Sequence, residues 1–259
     1  MCHCREYILK QKNWIEEYKI ASYLVNLRGK AGLFGVLNFI QDVGLLHAHH
    51  LQIQLKPNQT WVFTRQKLVM SRWPDWNQTM SIRTWLRTPV DPFFYRDYEL
   101  YLGDQKIGEC TSTFTVMDRV SRKLAKFDWE ALPDVWRNQE ILIHTPEKIK
   151  VIENAPTISE FNVRNTDLDM NHHVNNTKYA QWILDSIPLN VLQAGVDLNE
   201  YEVNFLAEVK PDETVAIQRI DQVEENQNSM ISQFQGFRSV DGKFVFTARL
   251  KLSDSHKKE

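Results

Sequence analysis

The architecture of this chain follows from one amphipathic stretch, which reads Leu33-Phe34-Gly35-Val36-Leu37-Asn38-Phe39-Ile40-Gln41-Asp42-Val43-Gly44-Leu45-Leu46. Its apolar residues recur at spacings of three and four, which places them on one face of a helix. The same spacing returns between Asn176 and Ile187, where Asn175 or Asn176 can cap the start and Pro188 ends the helix. The sequence therefore predicts two helices far apart in the chain, each burying one face.

Long segments with the composition of β-strands lie between and after these helices. They are rich in Val, Ile, Thr, Phe and Trp, and several are separated by turn sequences such as Leu102-Gly103-Asp104. The predicted strands are Thr60–Ser71, Gln78–Thr88, Phe94–Leu102, Lys106–Asp118, Tyr201–Val209, Thr214–Val223, Met230–Val240 and Lys243–Leu252. Each helix is thus preceded by an extended segment and followed by four strands, so the two halves have the same order of elements.

This repetition predicts an internal duplication with a joint between Leu132 and Lys150. One helix wrapped by a long antiparallel sheet, repeated in tandem, is an α+β tandem double hotdog, with two long helices packed against a continuous antiparallel β-sheet. We expect an N-terminal hotdog domain at residues 1–140 and a C-terminal one at residues 141–259. A single unit leaves a sheet edge that must pair, and the second unit supplies that partner within one chain.

Length and charge narrow the function classes. The chain has 259 residues and is 42% hydrophobic, enough for one large domain or two smaller ones. Lys and Arg total 31 and Asp and Glu total 33, so the charge of −2 shows no basic excess of the kind that marks nucleic-acid binders. No apolar run approaches the roughly 18 to 20 residues of a membrane span, and Met1–Lys12 lacks the apolar core of a secretory signal. We therefore predict a soluble, cytoplasmic protein with no nucleic-acid partner and no membrane span.

Metal and disulfide chemistry find little support in the sequence. Three cysteines, Cys2, Cys4 and Cys110, cannot all pair within one chain. The terminal Cys2-His3-Cys4 lacks the ligand spacing of structural zinc sites, and His47-Ala48-His49-His50 is typical of a polar helix end. We expect no metal and no cofactor.

The densest polar cluster runs from Asp167 to Tyr179, just before the second helix. In an extended segment residues two apart face the same side, so Asp169, Asn171 and His173 project together. The helix start that follows carries free N–H groups that can stabilise an oxyanion, which suits catalysis. The same residue types also suit a polar capping loop, and this alternative stays open.

The first half favours the catalytic interpretation. Aligning Asp42 with Asp185 makes Asn26, Arg28 and Lys30 the equivalents of the triplet, so the duplicated fold does not itself require it. A capping loop should recur in both halves, whereas a single active site needs one copy.

An acidic candidate follows the second helix. In the predicted strand Tyr201–Val209 the apolar residues alternate, which leaves Glu202, Asn204 and Glu208 on the other face. An exposed edge would explain Glu202 and Asn204. Glu208 can be a second catalytic carboxylate or a surface charge at the end of the strand.

The cluster and several other motifs resemble the acyl-acyl-carrier-protein thioesterases, the plant plastid enzymes and their bacterial relatives. In the second half the resemblance covers Asp167–Tyr179 and continues through Trp182-Ile183-Leu184-Asp185. In the first half it covers Trp61-Val62-Phe63-Thr64-Arg65, Trp73-Pro74-Asp75-Trp76, Arg96-Asp97, Thr111-Ser112-Thr113-Phe114 and Arg122-Lys123-Leu124-Ala125-Lys126. The order of these motifs along most of the chain makes the resemblance more specific than any one of them.

The resemblance implies hydrolysis of a fatty acyl-acyl carrier protein thioester, releasing free fatty acid and holo-acyl carrier protein. It assigns the family's catalytic positions to Asp169, Asn171, His173 and Glu208. Plant members carry a cysteine directly after the glutamate, where this chain has Val209. We therefore expect direct attack by water, with Glu208, His173 or both as the base, Asn171 orienting the water or binding the carbonyl, and Asp169 orienting its neighbours.

Substrate contacts and partners complete the expectation. We expect Val174, Asn175 and Asn176 to contact the substrate, with the Val174 N–H as an oxyanion donor, and Leu37, Ile40 and Trp61 to line an acyl pocket in the first half. The carrier protein is acidic, and the tightest basic group that could receive it is Arg119, Arg122, Lys123 and Lys126. A homodimer is possible. The alternatives are an acyl-CoA thioesterase, a dehydratase of hydroxyacyl thioesters, and a non-catalytic acyl-binding hotdog protein.

Overall fold

The computed structural model describes residues 13–127, 140–193, 196–224 and 229–254. Within them the elements are β1 (Asn13–Lys19), α1 (Leu33–His50), β2 (Gln59–Met70), β3 (Thr79–Leu86), β4 (Phe94–Leu102), β5 (Gln105–Asp118), β6 (Thr157–Asn162), α2 (Asn176–Asp185), α3 (Leu189–Gln193), β7 (Val196–Phe205), β8 (Thr214–Glu224), β9 (Ser229–Arg238) and β10 (Phe244–Asp254). The Cys2-His3-Cys4 terminus and the first part of the predicted joint lie outside the described residues.

All ten strands belong to one antiparallel sheet with the order β1-β3-β4-β5-β2-β7-β10-β9-β8-β6. From the two edges to the centre, the strands of the halves follow equivalent orders: β1, β3, β4, β5 and β2 correspond to β6, β8, β9, β10 and β7. At the centre β2 pairs with β7, from Arg65 opposite Asn204 to Val69 opposite Glu200. The predicted fold class, a double hotdog with two helices on a continuous antiparallel sheet, is confirmed.

Both helices bury the face that their sequence spacing predicts. The buried residues of α1 are Leu33, Gly35, Val36, Leu37, Ile40, Val43 and His47. In α2 they are Thr177, Tyr179, Ala180, Trp182 and Ile183. Of the two predicted candidates, Asn175 is the N-cap of α2, and its side chain accepts a hydrogen bond from the Thr177 N–H. None of the described helices combines the length and apolar character of a membrane-spanning segment.

Several boundaries differ from the predicted ones, and two of these differences are the most informative. Helix α1 continues through His50, one turn beyond Leu46, so three histidines form its last turn. Strand β7 ends at Phe205 instead of Val209. The apolar alternation continues past the strand because Val209 is itself buried in the core, with no accessible surface. Glu208 therefore lies in the loop after the strand and not on it.

The outer face of the sheet is covered by the connecting segment, residues 140–155. The side-chain oxygen of Asn204 accepts from the Ile149 N–H at 2.8 Å, and its amide donates to the Glu147 carbonyl at 2.8 Å. Gln235 makes the equivalent pair of bonds with the backbone of Ile152, each at 2.7 Å. Polar side chains of the sheet thus satisfy the backbone of a segment that joins no strand ladder.

This cover corrects the prediction of an exposed edge. Glu202 has no accessible surface and Asn204 is 3% exposed. Burial is the main influence on the Glu202 carboxyl and raises its pKa, against the opposing hydrogen bond from the Glu147 N–H. The alternation of apolar residues correctly predicted that Glu202 and Asn204 share a face of the strand. It gave no information about which segment covers that face.

We predict that Asn204→Ala lowers the free energy of unfolding by about 1–3 kcal/mol, because the buried Ile149 N–H loses its acceptor and the Glu147 carbonyl loses its donor. Urea unfolding followed by tryptophan fluorescence measures the change. Lys148→Ala, on the same segment but with an exposed side chain, is the matched control and should stay within about 0.5 kcal/mol of the parent. Equal stabilities of the two variants would contradict the conclusion that the Asn204 hydrogen bonds hold the connecting segment on the sheet.

Candidate active site

Two loops with the same backbone stand before the two helices. The first-half loop, residues 25–31, is closed by a bridge between Val25 and Ala31. The second-half loop, residues 168–174, is closed by a bridge between Leu168 and Val174. The helix alignment made from sequence therefore places the loops in the correct register.

In the second-half loop Asp169 organises the backbone. Its Oδ1 accepts from the Asn171 N–H at 2.7 Å and from the His173 N–H at 3.4 Å, and its own N–H donates to the His173 carbonyl at 2.8 Å. His172 occupies a left-handed conformation with φ of 59°, exposed to solvent. The turn at His172 directs Asn171 and His173 out of the loop.

The first-half loop repeats this network with different side chains. Asn26 Oδ1 accepts from the Arg28 N–H at 2.9 Å and from the Lys30 N–H at 3.3 Å, and the Asn26 N–H donates to the Lys30 carbonyl at 2.7 Å. Gly29, with φ of 71°, takes the left-handed position. The capping interpretation thus applies to Asp169, whose hydrogen bonds recur at Asn26. The side chains at the Asn171 and His173 positions, by contrast, change chemistry between the halves.

The structure brings His173 and Glu208 together. His173 Nε2 lies 3.6 Å from Glu208 Oε2, and the side chains are 30% and 37% exposed, so water can reach both. The other carboxylate oxygen, Oε1, pairs with Arg122 Nη2 at 2.9 Å. The sequence analysis considered Arg122 only for carrier docking, since no local pattern links it to Glu208.

Beside the first-half loop, the described residues include no equivalent pair. Lys30 Nζ forms an ion pair with Asp75 at 2.9 Å, and Arg28 Nη1 forms one with Asp197 at 3.0 Å. Trp73 occupies the position of Glu208. The carbonyl of Pro74, which follows Trp73, accepts a hydrogen bond from the Ala31 N–H, just as the carbonyl of Val209, which follows Glu208, accepts one from the Val174 N–H. An imidazole beside a carboxylate is therefore present at the second-half loop and not at its first-half equivalent.

Val174 does not provide a free donor. Its N–H donates to the Val209 carbonyl at 2.9 Å, and the residue is 4% exposed. The prediction that this N–H binds an oxyanion is wrong. No described residue accepts a hydrogen bond from the Asn176 N–H, in the first turn of α2, which makes that amide the available donor.

A cavity of about 940 Å³ opens between α1 and the first-half strands. Its apolar lining includes Leu37, Trp61, Phe63, Phe94, Phe114 and Phe127. Its rim comes from the other half and includes Asp169, Asn171, Asn175, Asn176 and Thr177. Of the three predicted pocket residues, Leu37 and Trp61 line it, whereas Ile40 is fully buried in the core and does not. A cavity with a large apolar lining and a small number of polar groups is typical of a ligand site.

The equivalent place beside the first-half loop holds a pocket of only about 150 Å³. Leu184 and Ile187 line this smaller pocket, while their equivalents on α1, Gln41 and Gly44, line the larger one. The smaller pocket is thus lined by apolar side chains at positions where the larger cavity is lined by a glutamine and a glycine. The large cavity lies beside the loop that carries His173.

Cys110 is 1% exposed, and burial raises the pKa of its thiol well above the usual value. A thiol that remains protonated in the core is a poor nucleophile. In the described residues no three His, Cys, Asp or Glu side chains come together in a way that could hold a metal.

Two family models match most of the chain. The acyl-ACP thioesterase N-terminal domain matches residues 11–133, and the acyl-ACP thioesterase C-terminal domain matches residues 149–248. Among curated relatives, the chloroplastic palmitoyl-acyl carrier protein thioesterase of Gossypium hirsutum is 24% identical over 200 residues, which cover 69% of this chain and 48% of the relative. The chloroplastic oleoyl-acyl carrier protein thioesterase of Coriandrum sativum is 27% identical over 223 residues, which cover 77% and 60%. The chain spans about half the length of the curated relatives it matches.

Solved structures share the fold. The 12:0-ACP thioesterase from Umbellularia californica superposes with a TM-score of 0.83 at 19% identity and covers 93% of both chains. An acyl-ACP thioesterase from Bacteroides thetaiotaomicron gives a TM-score of 0.81 at 20% identity, covering 96% of this chain and 99% of the other. At these identities the comparison bears on architecture alone.

We predict that Asp169→Asn changes the free energy of unfolding by less than about 0.5 kcal/mol, because Asn26 makes the same bonds in the first half. Asp169→Ala should cost about 0.5–2 kcal/mol, the usual value of a lost side-chain cap. Asn26→Ala is the matched control and should cost a similar amount. Thermal unfolding of the three variants measures these values, and an Asp169→Asn loss as large as that of Asp169→Ala would refute the shared capping function.

Proposed function

The chain belongs to the acyl-ACP thioesterase family, and from this premise we propose that it hydrolyses fatty acyl-acyl carrier protein to free fatty acid and holo-acyl carrier protein. The observation that carries the proposal is the His173–Glu208 pair beside the rim of the larger cavity. The curated relatives named above are acyl carrier protein thioesterases, which supports this choice of substrate.

The substrate would lie with its acyl chain in the cavity and its thioester at the rim. The chain would contact the aromatic lining contributed by the first half, where burial of each methylene is worth about 0.8 kcal/mol. At the rim the exposed amide of Asn171 and the N–H of Asn176 are donors for the thioester oxygen. These two donors replace the Val174 N–H that the sequence suggested.

The reaction would proceed by attack of water on the thioester carbonyl carbon. Glu208 or His173 takes the proton from the water as the new carbon–oxygen bond forms. The negative charge that develops on the carbonyl oxygen is stabilised by the Asn171 amide and the Asn176 N–H. Collapse of this intermediate breaks the carbon–sulfur bond, and the proton returns to the departing sulfur, giving a carboxylic acid and a thiol.

Arg122 would act as a positioning residue. Its ion pair with Glu208 Oε1 leaves Oε2 towards His173. Because Arg122 lies just after β5 and Glu208 just after β7, the pair joins the two halves at the site. No cysteine is needed in this mechanism, since Val209 follows Glu208 and Cys110 is buried.

The two halves would divide the work. We propose that residues 1–140 form the acyl-binding domain and residues 141–259 the catalytic domain, with Asp169, Asn171, His173 and Glu208 as its site. The contrast between the cavities supports this division. The cytoplasmic location and the possible homodimer stay predictions.

An acyl-CoA thioesterase is the second candidate, because the proposed steps act on the thioester, which acyl-CoA and acyl-acyl carrier protein share. A non-catalytic acyl-binding protein would not need a solvent-accessible imidazole–carboxylate pair. The carrier would be distinguished by the basic group Arg119, Arg122, Lys123 and Lys126, all of them exposed and one of them in contact with Glu208.

We predict that His173→Ala and Glu208→Ala each lower kcat/KM for acyl-acyl carrier protein by at least about 100-fold, the usual contribution of a general base. Release of free thiol from purified acyl carrier protein thioesters measures the rate. His172→Gly is the matched control: it removes the neighbouring imidazole at a position where Gly29 occurs in the other half, and activity should stay within about twofold. Unchanged turnover in His173→Ala or Glu208→Ala would remove that residue from the mechanism.

We predict that the double variant Lys123→Glu, Lys126→Glu raises KM for the carrier-protein substrate about tenfold at low salt, because like charges then face the acidic carrier. KM for an acyl-CoA of the same chain length should change by less than about twofold. Assays of both substrates at two salt concentrations test this. Equal effects on both would exclude these lysines as a carrier-docking surface.

A further inference from the structure

The turn after β5 holds Arg122 in an unusual backbone conformation. Arg122 has φ of 57°, in the left-handed region that is unfavourable for residues with a Cβ atom. Asn, Asp and His occupy this region more readily than other side chains do. Four of the six non-glycine residues described there are of these three types, and the exceptions are Gln52 and Arg122. An arginine at a position that suits glycine points to a function when the surrounding structure enforces it.

Asp118, the last residue of β5, builds this turn with its side chain. Its Oδ1 accepts hydrogen bonds from the Ser121 N–H at 2.7 Å, from the Ser121 hydroxyl at 2.9 Å and from the Val120 N–H at 3.1 Å. Its Oδ2 accepts from the Asn58 amide at 2.7 Å. The bonds from Ser121 lower the pKa of the Asp118 carboxyl, which is therefore a charged acceptor near pH 7. One carboxylate thus orders the residues before Arg122 and ties the turn to the start of β2.

Backbone hydrogen bonds fix the turn on both sides of Arg122. The Arg122 N–H donates to the Asp118 carbonyl at 3.0 Å, and the Asp118 N–H donates to the Lys123 carbonyl at 2.9 Å. Further along the chain, the Ala125 N–H donates to the Val116 carbonyl at 2.9 Å. The surrounding structure therefore maintains the left-handed conformation of Arg122 against its intrinsic preference.

From this turn the Arg122 side chain reaches the other half of the protein. Its Nη2 lies 2.9 Å from Glu208 Oε1, and the two side chains are 50% and 37% exposed. An ion pair with this exposure contributes little to folding stability, so stability does not explain why a strained arginine occupies the turn. The pair instead has a consequence for orientation, because Glu208 Oε2 then lies 3.6 Å from His173 Nε2.

Carrier docking does not explain the arrangement either. Lys123 and Lys126 on the same segment are exposed, and docking to an acidic surface needs only exposed positive charge. Neither the left-handed backbone at Arg122 nor its contact with Glu208 serves that purpose. The ordered turn and the ion pair are both needed if the position of the Glu208 carboxylate matters.

We propose that Asp118 is a positioning residue for the proposed hydrolysis. It holds the turn in which Arg122 keeps its left-handed backbone, and through Arg122 it fixes the Glu208 carboxylate beside His173. The inference rests on the proposed function and deepens it, because it extends the site from the catalytic loop of the second half to a turn of the first half.

Variants of Asp118 test its effect on the chemical step. Asp118→Ala should lower kcat at least about tenfold and change KM by less than about twofold, because Glu208 loses its orientation while substrate binding is unaffected. Asp118→Asn keeps the Oδ1 acceptor of the turn and should retain at least about a third of the parent kcat. Asp104→Ala is the matched control, since Asp104 is exposed and lies just before β5, at the other end of the same strand; its kcat should stay within about twofold. A loss confined to KM, or to acyl carrier protein substrates and not acyl-CoA of the same chain length, overturns the proposal.

A double-mutant cycle tests whether Asp118 acts through Arg122. Arg122→Ala should itself lower kcat at least about tenfold. Adding Asp118→Ala to it should change kcat by less than about twofold, because the residue through which Asp118 acts is already absent. Circular dichroism verifies that each variant folds. Losses that multiply in the double variant overturn the proposal.

Thermal unfolding separates this inference from the proposed hydrolysis, because it needs no turnover. Arg122→Gly and Arg122→Ala both remove the ion pair, but only glycine relieves the left-handed strain. We expect the Tm of Arg122→Gly to be about 2–4 °C above that of Arg122→Ala, and this difference to disappear when Asp118→Ala is added. Equal Tm values with Asp118 present, or the same difference without it, overturn the inference. Absence of thiol release from every carrier refutes the hydrolysis instead, and the Tm comparison then decides whether Asp118 holds Arg122 in this conformation.

Discussion

The antiparallel pairing of β2 with β7 is the interaction on which the rest of the structure depends. It joins two five-stranded halves into one sheet and removes the inner edge that each would otherwise expose. Aromatic contact supports the joint, where the tilted rings of Phe63 and Phe205 lie 4.9 Å apart between centroids. Because the pairing relates the halves by an approximate two-fold axis, the loop before each helix meets the helix of the other half. The cavity therefore takes its walls from one half and its rim from the other.

Within this near-symmetric frame, a few side chains separate the functions of the halves. The two loops share their hydrogen bonds, so Asn171 and His173 replace Arg28 and Lys30 on the same backbone. The neighbouring cavities differ several-fold in volume. Chemistry thus changed at equivalent positions while the backbone stayed the same, which a duplicated chain can do because the second copy preserves the fold.

The outer face of the sheet follows a different principle. The connecting segment has no strand partner, so side chains such as Asn204 and Gln235 bond its backbone directly. These residues look like solvent-facing polar positions in the sequence because the period of two records only which residues share a face. Their burial depends on the path of a segment that is distant in the chain.

The sequence by itself determined the features that repeat over short distances. The spacing from Leu33 to Leu46 predicted the first helix, the order of segments predicted the double hotdog, and the N-cap of the second helix was narrowed to Asn175 or Asn176, of which Asn175 is the cap. Only the tertiary structure decided which groups meet. The Val174 N–H is taken by Val209, Ile40 belongs to the core, and Arg122 holds the carboxylate of Glu208. Helical and strand periods are set by local backbone geometry and are therefore visible in sequence, whereas these contacts depend on strand register and loop paths between residues far apart in the chain.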